Sequence, residues 1–535
     1  MRLFALLTSL LLLVGCDTRS DVERANEAGI LLMGNSSEPK ALDPHLVSGV
    51  LESNVLRALF EGLCSGHPSQ DGQSLPGAAS SWTPSDDFTQ WTFHLQPDGK
   101  WSDGTPVTAH DFVFAYRRLL SPDPNWPAKY SEMLYFIENA EAYHKGKLAD
   151  FEQVGVHAIN DYTLQVDLRG PVPFLPEITK HQTWYPVPKH IVLRHGKINT
   201  AFASPWTKQG NMVSNGPFQL KTWKTNNFVE VERNPNYWDS RNVSLNGIRY
   251  LPISNYYTET RMFSDQQLHV TDRISPELLP FARKEHPDEL VTQPYVGTAF
   301  IRANTKRPPL NNPKVRLALA YAIEQEVICE KILGAGQQPA GGITPPFGNY
   351  QAPQIVHFDP DKARQLLAES GYANNSGFPD ISVLIANSDT NKVIAEAIQS
   401  MWKKHLGINV RIIQREWATY IQLQNDIDYD LCTANWIGDY LDPTTFLEMW
   451  VTDGGNNRTG WSSQIYEDLL HKAENTADPA QRFSILAQAE TLLMQEVPIM
   501  PVYYWTSAYL LRPEVKNWHP LLQKNPPFKH LKLEP

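Results

Sequence analysis

The stretch TANWIGDYLDPTTF, from Thr433 to Phe446, holds two carboxylates, three large aromatics, a glycine and a proline within fourteen residues. Asp442 has a local structural job. It can cap a helix, Pro443 suits the first helical position, and an apolar run follows. Asp439 has no such job. It sits between Trp436 and Tyr440, beside Gly438. On the residues alone two readings stand: a turn carboxylate, or a fixed negative charge held for a partner.

Other chemistry is hard to find. The chain has no GxSxG, no HExxH and no GxxxxGK followed by Ser or Thr. GAGQQPAGG, from Gly334, contains GxG, but Pro339 stands where a third glycine would be and a helix precedes it, so it reads as a loop. The 16 histidines are scattered; His190 and His195 flank an expected short helix as surface residues. No CxxC pair exists among the four cysteines, which argues against a cysteine zinc site. Cys64, Cys329 and Cys432 read as small buried residues. No metal, no cofactor and no catalytic activity are expected.

The fourth cysteine has a different setting. MRLFALLTSLLLLVGCD opens with Arg2, then runs apolar from Leu3 to Val14, broken only by Thr8 and Ser9. Twelve helical residues reach about 18 Å, short of the roughly 30 Å hydrocarbon core. The stretch therefore reads as a secretory signal rather than a membrane span. It ends in Leu13-Val14-Gly15-Cys16, which resembles a bacterial lipobox. That likeness implies residues 1–15 as signal peptide, Cys16 as the lipidated mature N-terminus, and 16–27 as a polar tether. Asp17 resembles the inner-membrane retention signal of some Gram-negative lipoproteins. The rest of the chain is expected to be soluble and held outside the cytoplasm.

The elements that must position Asp439 are those of a large α/β protein. The chain has 535 residues, 41% hydrophobic and 20% charged, enough for two or three lobes with real cores. Its net charge of −11, with basic residues dispersed, gives no footprint for a nucleic-acid partner. GILLMG reads as a strand, ESNVLRALFEGL as a helix, and YTLQVDL as a half-buried strand. WTFHLQPDGKWSDGTPV reads as a hairpin turning at Pro97-Asp98-Gly99. Thr108 and Asp111 form a capping box for the next helix. In the second half strands and helices alternate: helices start at Asn312-Pro313 and Asp359-Pro360, ISVLIA is a buried strand, and Gly407 ends a helix before INVRIIQ. Near the end, a helix is expected to break at Pro498 and Pro501 before an aromatic strand. Such alternation implies sheets covered by helices.

A set of these stretches together resembles the peptide-binding proteins of ABC importers, the extracellular solute-binding family 5. The most specific is WTFHLQPDGKWSDGTPVTAHDFVFAYRR, from Trp91 to Arg118; EPKALDPHLVSGVLESNVLRALFEGL, VSNGPFQL, RNPNYWD, PPLNNPKVRLALAYAI, NWIGDYLDPTTF and PIMPVYYW follow the family's order. The resemblance runs from about Leu31 to the C-terminus. It implies an α/β, two-lobed periplasmic-binding-protein fold (type II, cluster C) with an extra domain inserted in lobe I. Lobe I would comprise 28–60, 190–296 and 507–535, the insert 61–189 and lobe III 297–506. A ligand cleft would lie between the lobes, which close by hinge bending.

The resemblance also implies a site. Asp439, following Trp436, matches the acid that meets the α-ammonium of a bound peptide, a charge that needs a counter-charge once desolvated. Gly438 would let the backbone approach the ligand, and Asn435 and Gly438 would offer backbone groups to an extended peptide pairing like an added strand. Tyr295, Trp417, Trp436 and Tyr504 would line the cleft. Ser48 and Val50 would run beside the ligand from lobe I, and Asp272 would contribute a polar contact. There are departures. The positions aligned with basic residues that receive the peptide carboxylate in relatives hold Leu333, Asn391, Gln424 and Thr433, and a disulfide of relatives is replaced by Gly297 and Ile437. Arg273 could supply a positive charge.

The expected function is capture of peptides and delivery to an ABC permease in the inner membrane, by a monomer tethered through Cys16 in the periplasm. Two other readings stand beside it: the same fold with another solute (a murein peptide, a nickel complex or an oligosaccharide), and a membrane-anchored secreted hydrolase.

Overall fold

The computed structural model describes residues 19–202 and 204–534. The signal segment and Cys16 lie outside the described residues. No helix among the described residues is long and apolar enough to cross a membrane.

Part of the expected tether is a helix. Asp21–Ala28 starts with a complete capping box between Ser20 and Glu23 and ends at Gly29, whose φ of 66° is the left-handed conformation glycine adopts freely. Val22 and Ala25 bury its inner face. The polar composition that suggested a tether is the exposed face of this amphipathic turn.

Three main sheets follow. Ile30–Gly34 pairs in parallel with Gly247–Leu251, which continues through Phe228–Arg233 to Phe218–Lys224. A second four-stranded sheet is ordered Ala79–Pro84, Gln90–Leu95, Thr163–Asp167, Val156–Asn160. The expected hairpin around Pro97 is therefore not formed. Gln90–Leu95 takes partners on both sides, and the WSDGTP segment closes on itself, with Trp101 N donating to Thr105 O at 2.8 Å and Thr105 N to Asp103 at 3.0 Å. The capping box does form: Thr108 N donates to Asp111 at 2.9 Å and the helix runs Ala109–Leu119.

The third sheet has six strands, with Ile381–Ala386 buried at every position between Val410–Arg415 and Leu431–Ile437. The helix starts at Asn312-Pro313 and Asp359-Pro360 are both present, and Gly407 ends the helix Asp389–Leu406 in a left-handed cap. After the helix Pro479–Glu496, the strand Ile499–Leu510 runs straight through Pro501. The ladder accommodates this proline with a register shift between Ala299 and Phe300 of its neighbour, so the expected break is confined to Val497 and Pro498.

Two long strands link the cores. Leu290–Ala303 and Ile499–Leu510 pair antiparallel along most of their length. One end, at Leu510, packs with Leu32 and Leu268; the other, at Ile301 and Met500, packs with Val383 and Leu431. The fold is thus α/β and two-lobed. A buried pair ties the second sheet's helix to the first lobe: Arg118 donates two hydrogen bonds to Asp43 at 2.9 and 2.6 Å, and Trp206 adds a third at 3.1 Å. The three remaining cysteines are buried and free.

Candidate functional site

The strand Leu431–Ile437 delivers Asp439 to the mouth of a cavity of about 200 Å³. Opposite it stand Ser48 and Val50, at the start of the helix Val50–Leu59, and Tyr295, in the strand that crosses between the lobes. The segment carrying the second sheet closes the third side with Tyr130, Gln182 and Tyr185. Three separate parts of the fold therefore converge on one space.

Asp439 is held by its backbone. Its N–H donates to Thr445 Oγ1 at 3.1 Å, and its carbonyl accepts from Gln523 Nε2 at 3.1 Å. The side chain is half-buried on the cavity wall, and among the described residues no cation lies within ion-pairing distance of its carboxylate. Burial, with Glu132 nearby adding repulsion, pushes its pKa up to about 7. A carboxylate raised this far by desolvation holds a large potential gain for an incoming ammonium group.

Gly438 is explained by packing. Its N–H donates to Val296 O at 2.8 Å and its carbonyl accepts from Gln523 at 3.2 Å. A Cβ there would meet the Phe446 ring and the Thr445 methyl at 3.2 Å. The residue is needed so that the loop can lie on Phe446, a reason visible only in three dimensions. The helix starts one residue later than expected, at Thr444, with Pro443 in the cap position; Asp442 just before it accepts from Thr444 N at 3.1 Å and also forms a buried pair with Arg482.

The other candidates divide by position. Ser48, Val50, Tyr295, Gly438 and Asp439 line the cavity. Asp272 lines a smaller adjoining cavity together with Val50 and Tyr295, and its carboxylate already accepts from Ser36 and lies 4.0 Å from Lys524. Trp436, Asn435, Trp417 and Tyr504 do not line either space. Asn435 is exposed, Trp417 is 62% exposed and stacks on Tyr420, and Tyr504 is buried with its hydroxyl accepting from Gly342 N at 3.3 Å. Arg273 lies over the Tyr256 ring at 5.1 Å and does not line the cavities.

Sequence reasoning missed Arg57, Tyr130, Tyr185 and Gln523, all of which line the cavity. A signal for Arg57 was present. In the helix Val50–Leu59 the core face is Val55, Leu56 and Leu59, and Val50, Ser53 and Arg57 share the opposite face. That face turns to the cleft rather than to bulk solvent.

Over residues 74–458 the chain matches the family described as bacterial extracellular solute-binding proteins, family 5 Middle. It is 36% identical over 502 residues to the periplasmic oligopeptide-binding protein OppA of Escherichia coli strain K12, covering 92% of this chain and 90% of that one. It is 33% identical to the periplasmic murein peptide-binding protein MppA of the same organism, covering 90% and 88%. Among solved structures, Haemophilus influenzae OppA in complex with RPPGFSPFR superposes with a TM-score of 0.81 at 33% identity, covering 95% of this chain and 99% of that one. The chain belongs to family 5 of the bacterial extracellular solute-binding proteins.

Proposed function

We propose that this protein captures peptides outside the cytoplasm and delivers them to an ABC permease, with Asp439 receiving the peptide's amino terminus. The observation that carries the reading is a raised, unpaired carboxylate at the meeting point of three parts of the fold. The oligopeptide- and murein-peptide-binding relatives support peptides as the solute class. The walls formed by Tyr130, Tyr185 and Tyr295 suit an extended main chain, and side chains would then lie in the surrounding space. The protein catalyses no reaction in this reading. It acts as a monomer that closes on its ligand, docks and releases.

The lobes are assigned on the same basis. Lobe I is 28–60, 190–296 and 507–535, the insert is 61–189, and lobe III is 297–506; the two four-stranded sheets each fall within one of these units, and the six-stranded sheet lies in lobe III except for the ends of its two linking strands, which reach into lobe I. Cys16 carries the lipid that holds the protein at the inner membrane. Metabolic labelling with palmitate tests this directly, since wild type would incorporate label and Cys16→Ala would not.

The functional reading is tested by mass spectrometry of small molecules released from the purified, denatured protein, followed by calorimetry with free and N-acetylated peptides. Recovery of peptides, and loss of binding on acetylation, supports it. Recovery of another solute, with no heat from any peptide, overturns it.

A further inference from the structure

The cavity that holds Asp439 contains four carboxylates and five basic side chains, and almost all are already partnered. Glu177 pairs with Lys180. Glu61 lies 3.3 Å from Lys529 and also accepts from Tyr237 and Trp238. Asp71 accepts from Leu522 N at 3.0 Å. His67 accepts from Ser69 N at 3.2 Å, and burial pushes His181 down to about 4, so that it is neutral at physiological pH. Among the described residues, the Asp439 carboxylate has no hydrogen-bond or charge partner, and Arg57 has no acid within ion-pairing distance.

Among the described residues, no carboxylate pairs with Arg57. One of its Nη groups donates to Asn54 Oδ1 at 2.8 Å, and its buried Nε–H has no hydrogen-bond partner. The groups around it are tyrosines: Tyr185, Tyr250 and Tyr295. Burial lowers its pKa, yet a guanidinium stays protonated across the accessible pH range. Arg57 and Asp439 do not neutralise each other. Among the described residues no cation contributes to the Asp439 environment, whereas the Tyr295 hydroxyl, which lines the same cavity, feels both charges. A buried charge left unpaired is expensive, and its usual explanation is a partner that arrives later.

We propose that Arg57 receives the C-terminal carboxylate of a short peptide whose amino terminus lies on Asp439, so that the cavity recognises a zwitterion by both ends. This rests on the peptide reading above. A planar guanidinium presents a fork that matches a carboxylate. Arg57 lies on a helix of one lobe, and Asp439 on a loop of the other. A short zwitterion would then bridge the lobes, which gives closure a ligand-dependent driving force. Arg57 also supplies the positive charge that Leu333, Asn391, Gln424 and Thr433 do not.

The test is calorimetry with an alanine series from two to five residues, each as the free acid and as the C-terminal amide. Wild type is expected to bind at least one of the short free acids about thirtyfold or more tightly than its amide. In Arg57→Gln that difference collapses, and Arg57→Lys restores part of it. Amides binding as well as acids at every length in wild type would overturn the proposal, and that comparison needs no variant. An acid preference that persists in a folded Arg57→Gln would overturn it too. If wild type requires a free amine but ignores the carboxylate, the Arg57 role alone fails. If no peptide binds at all, the peptide reading fails with it.

Discussion

Arg482 grips Asp442 through two hydrogen bonds of 2.7 and 2.8 Å, and both side chains are only 3% exposed. The same guanidinium lies over the Phe174 ring at 4.4 Å, and Phe174 stacks on Tyr440 with ring centroids 5.9 Å apart. The loop bearing Asp439 is thus clamped on its far side by a buried ion pair and a ring contributed by the second-sheet segment. Asp442, read from sequence as a helix cap, also anchors the loop that carries Asp439.

This makes the pair a stability element with a functional readout. Arg482→Met leaves a buried carboxylate without its charge partner, at a cost of about 3–5 kcal/mol. Denaturant unfolding should show that loss. Replacing both residues with apolar ones of similar size should cost much less than Arg482→Met alone. A double mutant as unstable as the sum of the two singles would show that the side chains act independently.

Asp439→Asn should weaken binding of free-amine peptides by roughly a hundredfold or more, the equivalent of about 3–5 kcal/mol for removing one member of a buried pair. The ligand-free variant should be no less stable than wild type at neutral pH, because it removes an unpaired carboxylate. A variant that bound as tightly as wild type would remove the amine from its assigned place.

Stability of the ligand-free protein should fall as pH rises from about 6.5 to 8. Burial raises Glu259 and Glu448 to about 8, and Glu490 and Asp439 to about 7. Each holds a proton in the folded state that the unfolded chain has already lost, so the stability it lends is present in acid and is lost as pH rises through the folded pKa. Below 6.5 three buried histidines oppose this. His45 is lowered to about 3, and His181 and His269 to about 4, so acid favours the unfolded chain through them. Their opposition fades as the unfolded histidines, half protonated near pH 6.5, lose their protons over about the next unit, and above that the carboxyls act alone. Thermal melts across this range should show the decline, and Glu448→Gln should flatten it.

The difference between what was legible and what was not follows from the range of the forces involved. Caps and stops such as Thr108 with Asp111, Asn312 with Pro313, and Gly407 are local, and the chain next to them fixes them. The hairpin expected at Pro97 does not form because strand pairing is not local: Gln90–Leu95 finds Thr163–Asp167 some seventy residues away. Asp439 was singled out because no neighbour needed it. For Arg57 the helix periodicity shows only that it shares a face with Val50; that its charge has no acid beside it depends on the fold. Trp417 and Tyr504 rest on the family resemblance alone; here Trp417 lies in an exposed stack on Tyr420 and Tyr504 is buried against Gly342, away from the cavity that holds Asp439.

Closure can also be tested at a contact remote from the ligand. Arg169, which follows the strand Thr163–Asp167, pairs with Glu474 at 2.6 Å, at the end of the helix Gln464–Glu474. The pair joins the second-sheet segment to the opposite lobe without touching the cavity that holds Asp439. Both side chains are partly exposed, at 43% and 31%, so the pair is worth up to about 1 kcal/mol and is screened by salt. If it forms only when the cleft is shut, it stabilises the closed state and slows ligand escape. Arg169→Ala should then speed peptide dissociation by up to about fivefold at low ionic strength, with little change in association. Raising the salt towards 1 M should bring wild type to the variant's rate, because the Debye length there shrinks to about 3 Å. A variant with the wild-type dissociation rate at low salt would mean that the pair persists in the open state and has no part in closure.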